Sequence, residues 1–118
     1  MRHFHRKRTF GRVKHVRNGL MRSLARSLVL EEGIVTTIAK AKELRPFVER
    51  LVTQAKKNTV ASQRTVSARL GGAEDAVKKL HGTMAPRYAT RNGGYARVIR
   101  MGQIGKQHTE SARIEFVK

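Results

Sequence analysis

Seven of the first nineteen residues are lysine or arginine, none is acidic, and the first carboxylate of the chain is Glu31. Arg2, Arg6, Lys7, Arg8, Arg12, Lys14 and Arg17 are interleaved with His3, His5 and His15. Residues of these types at this density can hold a metal, activate a nucleophile or bind a polyanion. The first two tasks usually need a carboxylate to orient or activate the imidazole, and the first thirty residues contain none. The three histidines are therefore read as donors to phosphate or base, or as stacking groups, and no metal is expected.

Other chemistries find no support. Cysteine is absent, which removes disulfides, thiolate nucleophiles and cysteine-ligated zinc. No Gly-x-Ser-x-Gly elbow is present, and Gly93-Gly94 does not lead into the Gly-Lys-Ser/Thr start of a phosphate-binding helix. The eight carboxylates occur singly or in adjacent pairs among lysines and arginines, a pattern of local charge balance. Neither an enzyme nor a cofactor is expected.

What remains is backbone binding to a polyanion. The formal net charge is +18, of which residues 1–19 carry +7 and the rest +11, so the partner touches more than the N-terminal arm. An acidic membrane is a rival polyanion. However, no stretch is long enough to span one, and the arm lacks a lipid-facing apolar stripe. The N-terminus has a signal peptide's charge without its apolar region and is read as part of the mature protein. Of the nine basic residues in the first thirty, seven are arginine, whose planar fork clamps phosphate through two bonds. Nucleic acid fits best.

The chain has one domain's length, with a basic arm at residues 1–17 and a body at 18–118. Phe4, Phe10, Val13 and Val16 are the arm's apolar groups ahead of Leu20, too few to offset the entropy of ordering it alone. Asn18 as N-cap and Gly33 as C′ residue frame a helix over about 19–32, with Leu20, Leu24 and Leu28 on one face. Arg22 and Arg26 lie on another, read as a phosphate-facing surface continuous with the arm. Glu31 and Glu32 oppose the dipole at that helix end.

Ile34 to Thr37 reads as a strand, with Thr37 capping a long helix over about 38–57. Its apolar positions Ala41, Leu44, Val48, Leu51 and Ala55 carry across Pro46, where a bend is expected. Thr59 caps a helix to about Leu70. Residues 73–81 form another, closed by Gly82, and a turn-rich basic stretch follows. Tyr95–Met101 and Thr109–Val117 alternate as two strands of an antiparallel hairpin, which the Ile34 strand could extend. The architecture is α+β in two layers: a small mixed or antiparallel sheet with three to four helices on one face.

A second candidate contact group comprises Arg87, Tyr88, Arg91 and Tyr95, with Arg97 on the strand that follows. Two hydroxyl-bearing rings among guanidinium groups could stack on RNA or bond its phosphates. The competing reading of Tyr95 is a core-facing strand residue. Six aromatic residues without tryptophan are too few for a single-strand stacking platform, which favours structured RNA read by shape.

Several stretches resemble the bacterial large-subunit ribosomal protein L-seventeen family. They are Arg2-His3, Phe10-Gly11-Arg12, Leu24-Ala25-Arg26-Ser27-Leu28, and the run from Thr36 to Pro46 reading Thr-Thr-Ile-Ala-Lys-Ala-Lys-Glu-Leu-Arg-Pro. Ala85-Pro86-Arg87-Tyr88-Ala89, Arg91-Asn92-Gly93-Gly94-Tyr95-Ala96-Arg97 and Ile114-Glu115-Phe116-Val117 complete the likeness. The resemblance implies an α/β structural constituent of the large ribosomal subunit that binds 23S rRNA near the polypeptide exit side, in the cytoplasm, without catalysis. Arg2, His3, Arg12, Arg22 and Arg26 would then contact rRNA, and Arg87, Tyr88, Arg91 and Tyr95 would be contacts or supports. Neighbouring proteins are implied, L-thirty-two and L-twenty-two among them. His5 and Lys14-His15-Val16-Arg17 depart from the family's usual serine- and asparagine-rich run. The alternative is a nucleoid-type, non-specific DNA-binding protein, although no helix-turn-helix or β-arm pattern is present.

If about eight basic groups meet phosphates, the logarithm of the RNA association constant should fall against log salt with a slope of about −6 to −7. A filter-binding titration from low to moderate salt measures it, and a slope near zero would mean that charge does not drive binding.

Overall fold

The computed structural model describes residues 8–104 and 109–118. Helix α1 (Lys14–Glu31) leads into strand β1 (Gly33–Thr37), helix α2 (Ile38–Lys57) and helix α3 (Val60–Arg69). Helix α4 (Glu74–Lys79) continues through a π-helical turn (Leu80–Met84) into the short α5 (Ala85–Arg87). Strands β2 (Ala96–Ile104) and β3 (Thr109–Phe116) close the chain. The three strands form an antiparallel sheet in the order β1-β3-β2, with β1 pairing β3 from Gly33 opposite Glu115 to Thr37 opposite Ser111. This is the expected α+β architecture in two layers.

Helix α2 organises the core. Ala41, Leu44, Val48, Leu51, Val52 and Ala55 are fully buried, and the helix packs against all three strands. Each large aliphatic side chain removed from water there contributes roughly 1.5–3 kcal/mol. Thr37 caps the helix by accepting from the Lys40 amide at 3.4 Å. The helix runs unbroken through Pro46, which lies on an exposed face where the missing amide bond costs least. Thr59 and Ser62 form a reciprocal capping box at the start of α3. The sheet meets α2 through Ala112, Ile114 and Phe116 of β3 and Ala96 of β2, the alternation expected of a sheet covered on one side.

Strand β2 runs to Ile104, past its expected end at Met101, and three helix boundaries also differ from expectation. Helix α1 starts at Lys14, and Asn18 lies inside it, because Val13 supplies the extended entry without a side-chain cap. Its C-cap is Glu32 at φ 64, not Gly33. Gly33 opens β1 instead, and a Cβ there would meet the Arg113 guanidinium at 2.3 Å. That bare backbone lets Arg113 lie across the strand toward Glu115, 3.3 Å away. Finally, Gly82 does not end the fourth helical segment. Leu80, Met84, Ala85 and Tyr88 are all buried, so the apolar face carries past it. The turn widens to an amide bond from Ala85 back to the Leu80 carbonyl, which re-phases the helix ahead of Pro86.

Within that turn, both ring nitrogens of His81 are shut off from solvent without a hydrogen-bond partner. Burial pushes its pKa below the ordinary value, and the nearby Ala55 backbone, outside hydrogen-bond geometry, offsets only part of this. The unfolded chain therefore binds a proton near pH 6.5 that the folded chain resists. Stability should be full above that pH and fall as pH drops through it. A thermal midpoint lower by a few degrees at pH 5.5 than at 7.5, with the difference shrinking in His81→Leu, is the expected result in calorimetry.

Candidate nucleic-acid interface

The described part of the arm folds back on the body. Arg8 donates to Glu43 of α2 at 2.8 Å. The chain then turns at Thr9-Phe10-Gly11-Arg12, where the Arg12 amide donates to the Thr9 carbonyl at 3.0 Å. Phe10 and Gly11 both adopt left-handed backbone, at φ 52 and 64. Arg12 donates to the Phe10 carbonyl at 2.7 Å and Arg17 to the Arg12 carbonyl at 3.2 Å. Both bonds leave full positive charge on the guanidinium groups. Lys14, His15 and Arg22 are exposed along the first turns of α1, and the Arg22 side chain lies against Gly71.

Arg26, Arg87 and Arg97 have carboxylate partners. Arg26 clamps Asp75 through two bonds, of 3.2 and 2.6 Å, which raises the Arg26 pKa and lowers that of Asp75. This pair ties α1 to the first turn of α4. Arg87 pairs with Glu32, and Lys79 joins them 3.3 Å from the same carboxylate. The hydrogen bond from Arg87, opposed by partial burial and aided by Lys79, holds the Glu32 carboxyl below the usual range. Arg97 donates to Glu115 at 2.9 Å. Each of these cations is locally neutralised. Glu31 and Glu32 thus differ: Glu32 is a structural anchor at the helix end, which the sequence reading left unexplained.

Tyr88 and Tyr95 are core residues, each 2% exposed, and the reading of their rings as RNA-stacking groups is corrected. Their centroids lie 5.2 Å apart, and Phe116 stands 6.4 Å from Tyr88. The Tyr88 hydroxyl donates to the Val117 carbonyl. The Tyr95 hydroxyl accepts from Lys56 at 3.0 Å, and this bond, opposed by burial, lowers the Tyr95 pKa. Lys56 also donates to the Arg91 carbonyl at 2.6 Å, while the Tyr95 amide donates to Glu49 at 2.9 Å. The Arg91-to-Tyr95 motif is therefore a strap fixed to α2, with the Arg91 side chain left exposed. Arg2, His3, His5, Arg6 and Lys7 lie outside the described residues.

Two further arginines join the predicted ones. Arg50 of α2 and Arg69 at the end of α3 share a cleft of about 350 Å³ with Arg17 and Arg22. Arg50 reads in the sequence as one more exposed residue of an amphipathic helix, and nothing local marks Arg69. Among the described residues no carboxylate lies within ion-pair distance of Arg12, Arg17, Arg22, Arg50 or Arg69. Unpaired cations thus gather where the arm, α1, α2 and α3 meet. No group of three or more potential metal ligands occurs among the described residues, nor is any of their helices long and apolar enough to cross a membrane.

The sequence profile of ribosomal protein L17 matches residues 20–117. The chain belongs to the ribosomal protein L17 family. It is 49% identical over 119 residues to the large ribosomal subunit protein bL17 of Hydrogenobaculum sp., covering all of both chains. It is 46% identical to bL17 of Thermomicrobium roseum over 99% of each chain, and 46% identical to that of Mesorhizobium japonicum over 99% of this chain and 81% of the relative. Within this L17-family chain, the Tyr88 and Tyr95 rings pack in the core.

Tyr88→Phe should therefore cost about 1 kcal/mol of folding stability through the lost hydroxyl bond and leave RNA affinity unchanged. Paired denaturant and filter-binding measurements check this. A loss of affinity at unchanged stability would return the ring to the interface.

Proposed function

We propose that this ribosomal protein of the L17 family is a structural constituent of the large ribosomal subunit that binds and stabilises folded 23S rRNA near the polypeptide exit side. It does so by phosphate neutralisation, without catalysis, on ribosomes in the cytoplasm. The observation that carries the reading is the sorting of charge. Arg26, Arg87 and the sheet arginines Arg97, Arg100 and Arg113 meet carboxylates, whereas Arg12, Arg17, Arg22, Arg50 and Arg69 meet none among the described residues. Phosphates would dock where these unpaired arginines gather.

Guanidinium groups on a rigid helix pair with phosphates without the ordering cost of a flexible chain. The burial of both tyrosines leaves little ring surface for continuous stacking, which supports recognition of folded RNA by shape. The relatives carry the name of a large-subunit protein, which supports placement in that particle. Neighbouring large-subunit proteins, L-thirty-two and L-twenty-two among them, complete the partners in this reading.

Removal of residues 2–12 spares α1, which starts at Lys14. The truncated chain should keep its circular dichroism spectrum and lose at least tenfold in affinity for folded 23S rRNA. In competition at matched salt, the intact chain should prefer that RNA to duplex DNA. Equal affinity for both would favour the non-specific DNA-binding alternative.

A further inference from the structure

We propose that the cleft between the arm, α1, α2 and the end of α3 is a receptacle for one unstacked nucleotide, its base against Phe10 and Phe47 and its flanking phosphates on the arginine rim. This deepens the RNA-binding reading and rests on it. The cleft combines two kinds of wall. Phe10, Met21, Pro46 and Phe47 supply apolar and aromatic surface, while Arg17, Arg22, Arg50 and Arg69 stand around it. Its one carboxylate, Glu43, is already paired with Arg8 at 2.8 Å.

Such a site asks for a flat, uncharged body joined to more than one negative charge. A nucleotide within a strand has that form, since every base offers a π-face to an aromatic ring and carries phosphates on both sides. An acidic peptide has the charge without the flat body. A base inside a duplex is sandwiched by its neighbours and cannot enter, so the occupant comes from a loop, bulge or end. The cleft, about 350 Å³, falls in the range of small-molecule sites.

An independent observation concerns Phe10. It occupies the first central position of a turn whose two central residues are both left-handed. Asparagine, aspartate and glycine dominate that position because bulky side chains are strained there. Phenylalanine serves the turn poorly, yet it lines the cleft. A strained ring held at a cationic cleft is a feature of ligand sites.

The test uses the full chain, labelled for NMR, and two probes: the trinucleotide ApApA, whose central base has a phosphate on each side, and ribose 5-phosphate, which has similar charge without the base. ApApA should give nuclear Overhauser contacts between adenine protons and the Phe10 and Phe47 rings, and it should bind more tightly than ribose 5-phosphate. Phe10→Asn, which suits the turn, should stay folded, weaken ApApA at least fivefold and leave ribose 5-phosphate unchanged. Arg50→Gln should weaken both probes. Equal binding of the two probes, indifference of ApApA to Phe10→Asn, or adenine contacts elsewhere would overturn the proposal. If intact 23S rRNA still binds in any of those cases, only the nucleotide cleft falls; if it does not bind the wild-type chain, the RNA reading falls as well.

Discussion

Mutual repulsion among 26 lysines and arginines against eight carboxylates is the constraint under which the rest of the molecule is built. A chain so charged loses stability wherever like charges crowd, and its few acids must act where they do the most. Six of them do so within the described residues: Glu32, Glu43, Glu49, Asp75, Glu110 and Glu115 each hold an arginine or lysine. Several of these pairs join separate elements. Arg26 with Asp75 links α1 to α4, and Arg8 with Glu43 links the arm to α2. Exposed pairs of this kind contribute little energy one by one. Their larger effect is to decide which parts of the surface remain positive.

The apolar core and this charge plan meet at α2. Its inner face is fully buried beneath the sheet, while Glu49 and Lys56 reach the strap that carries Tyr95. Arg50, one residue beyond Glu49, stands in the cationic cleft. One helix therefore supplies packing, local neutralisation and free charge from different faces. That division of labour follows from its 3.6-residue period.

Elements whose signals are local were legible from the residues. The step of the apolar positions from Ala41 to Ala55 revealed α2 despite Pro46, and Thr37 and Thr59 marked the two helix starts where they lie. The alternation of Ala112, Ile114 and Phe116 identified β3 and its inner face. The start of α1 was not legible, since Val13 and the basic residues after it offer no capping side chain. Gly82 pointed to a stop because the π-helical turn is set by burial of Leu80 before it and Met84 after it, and no local rule reports that. On the proposed interface, the sequence pointed to Arg17 and Arg22 through their continuity with the arm. It did not point to Arg50 and Arg69, because the fold alone brings them together across nineteen residues of sequence. Tyr88 and Tyr95 misled for the opposite reason: arginine neighbours in sequence lent them the look of a binding motif, while their rings turn inward.

Glu32 stands at a junction. Its amide closes α1 onto the Leu28 carbonyl, its own carbonyl receives the Phe116 amide of β3, and its carboxylate gathers Lys79 and Arg87 from the helical segment between. Lys79 also donates to the Leu30 carbonyl at 2.9 Å. A single residue thus knots together the front, middle and back of the polypeptide. Segments joined in this way cannot loosen piecemeal, so the body should melt as one cooperative unit.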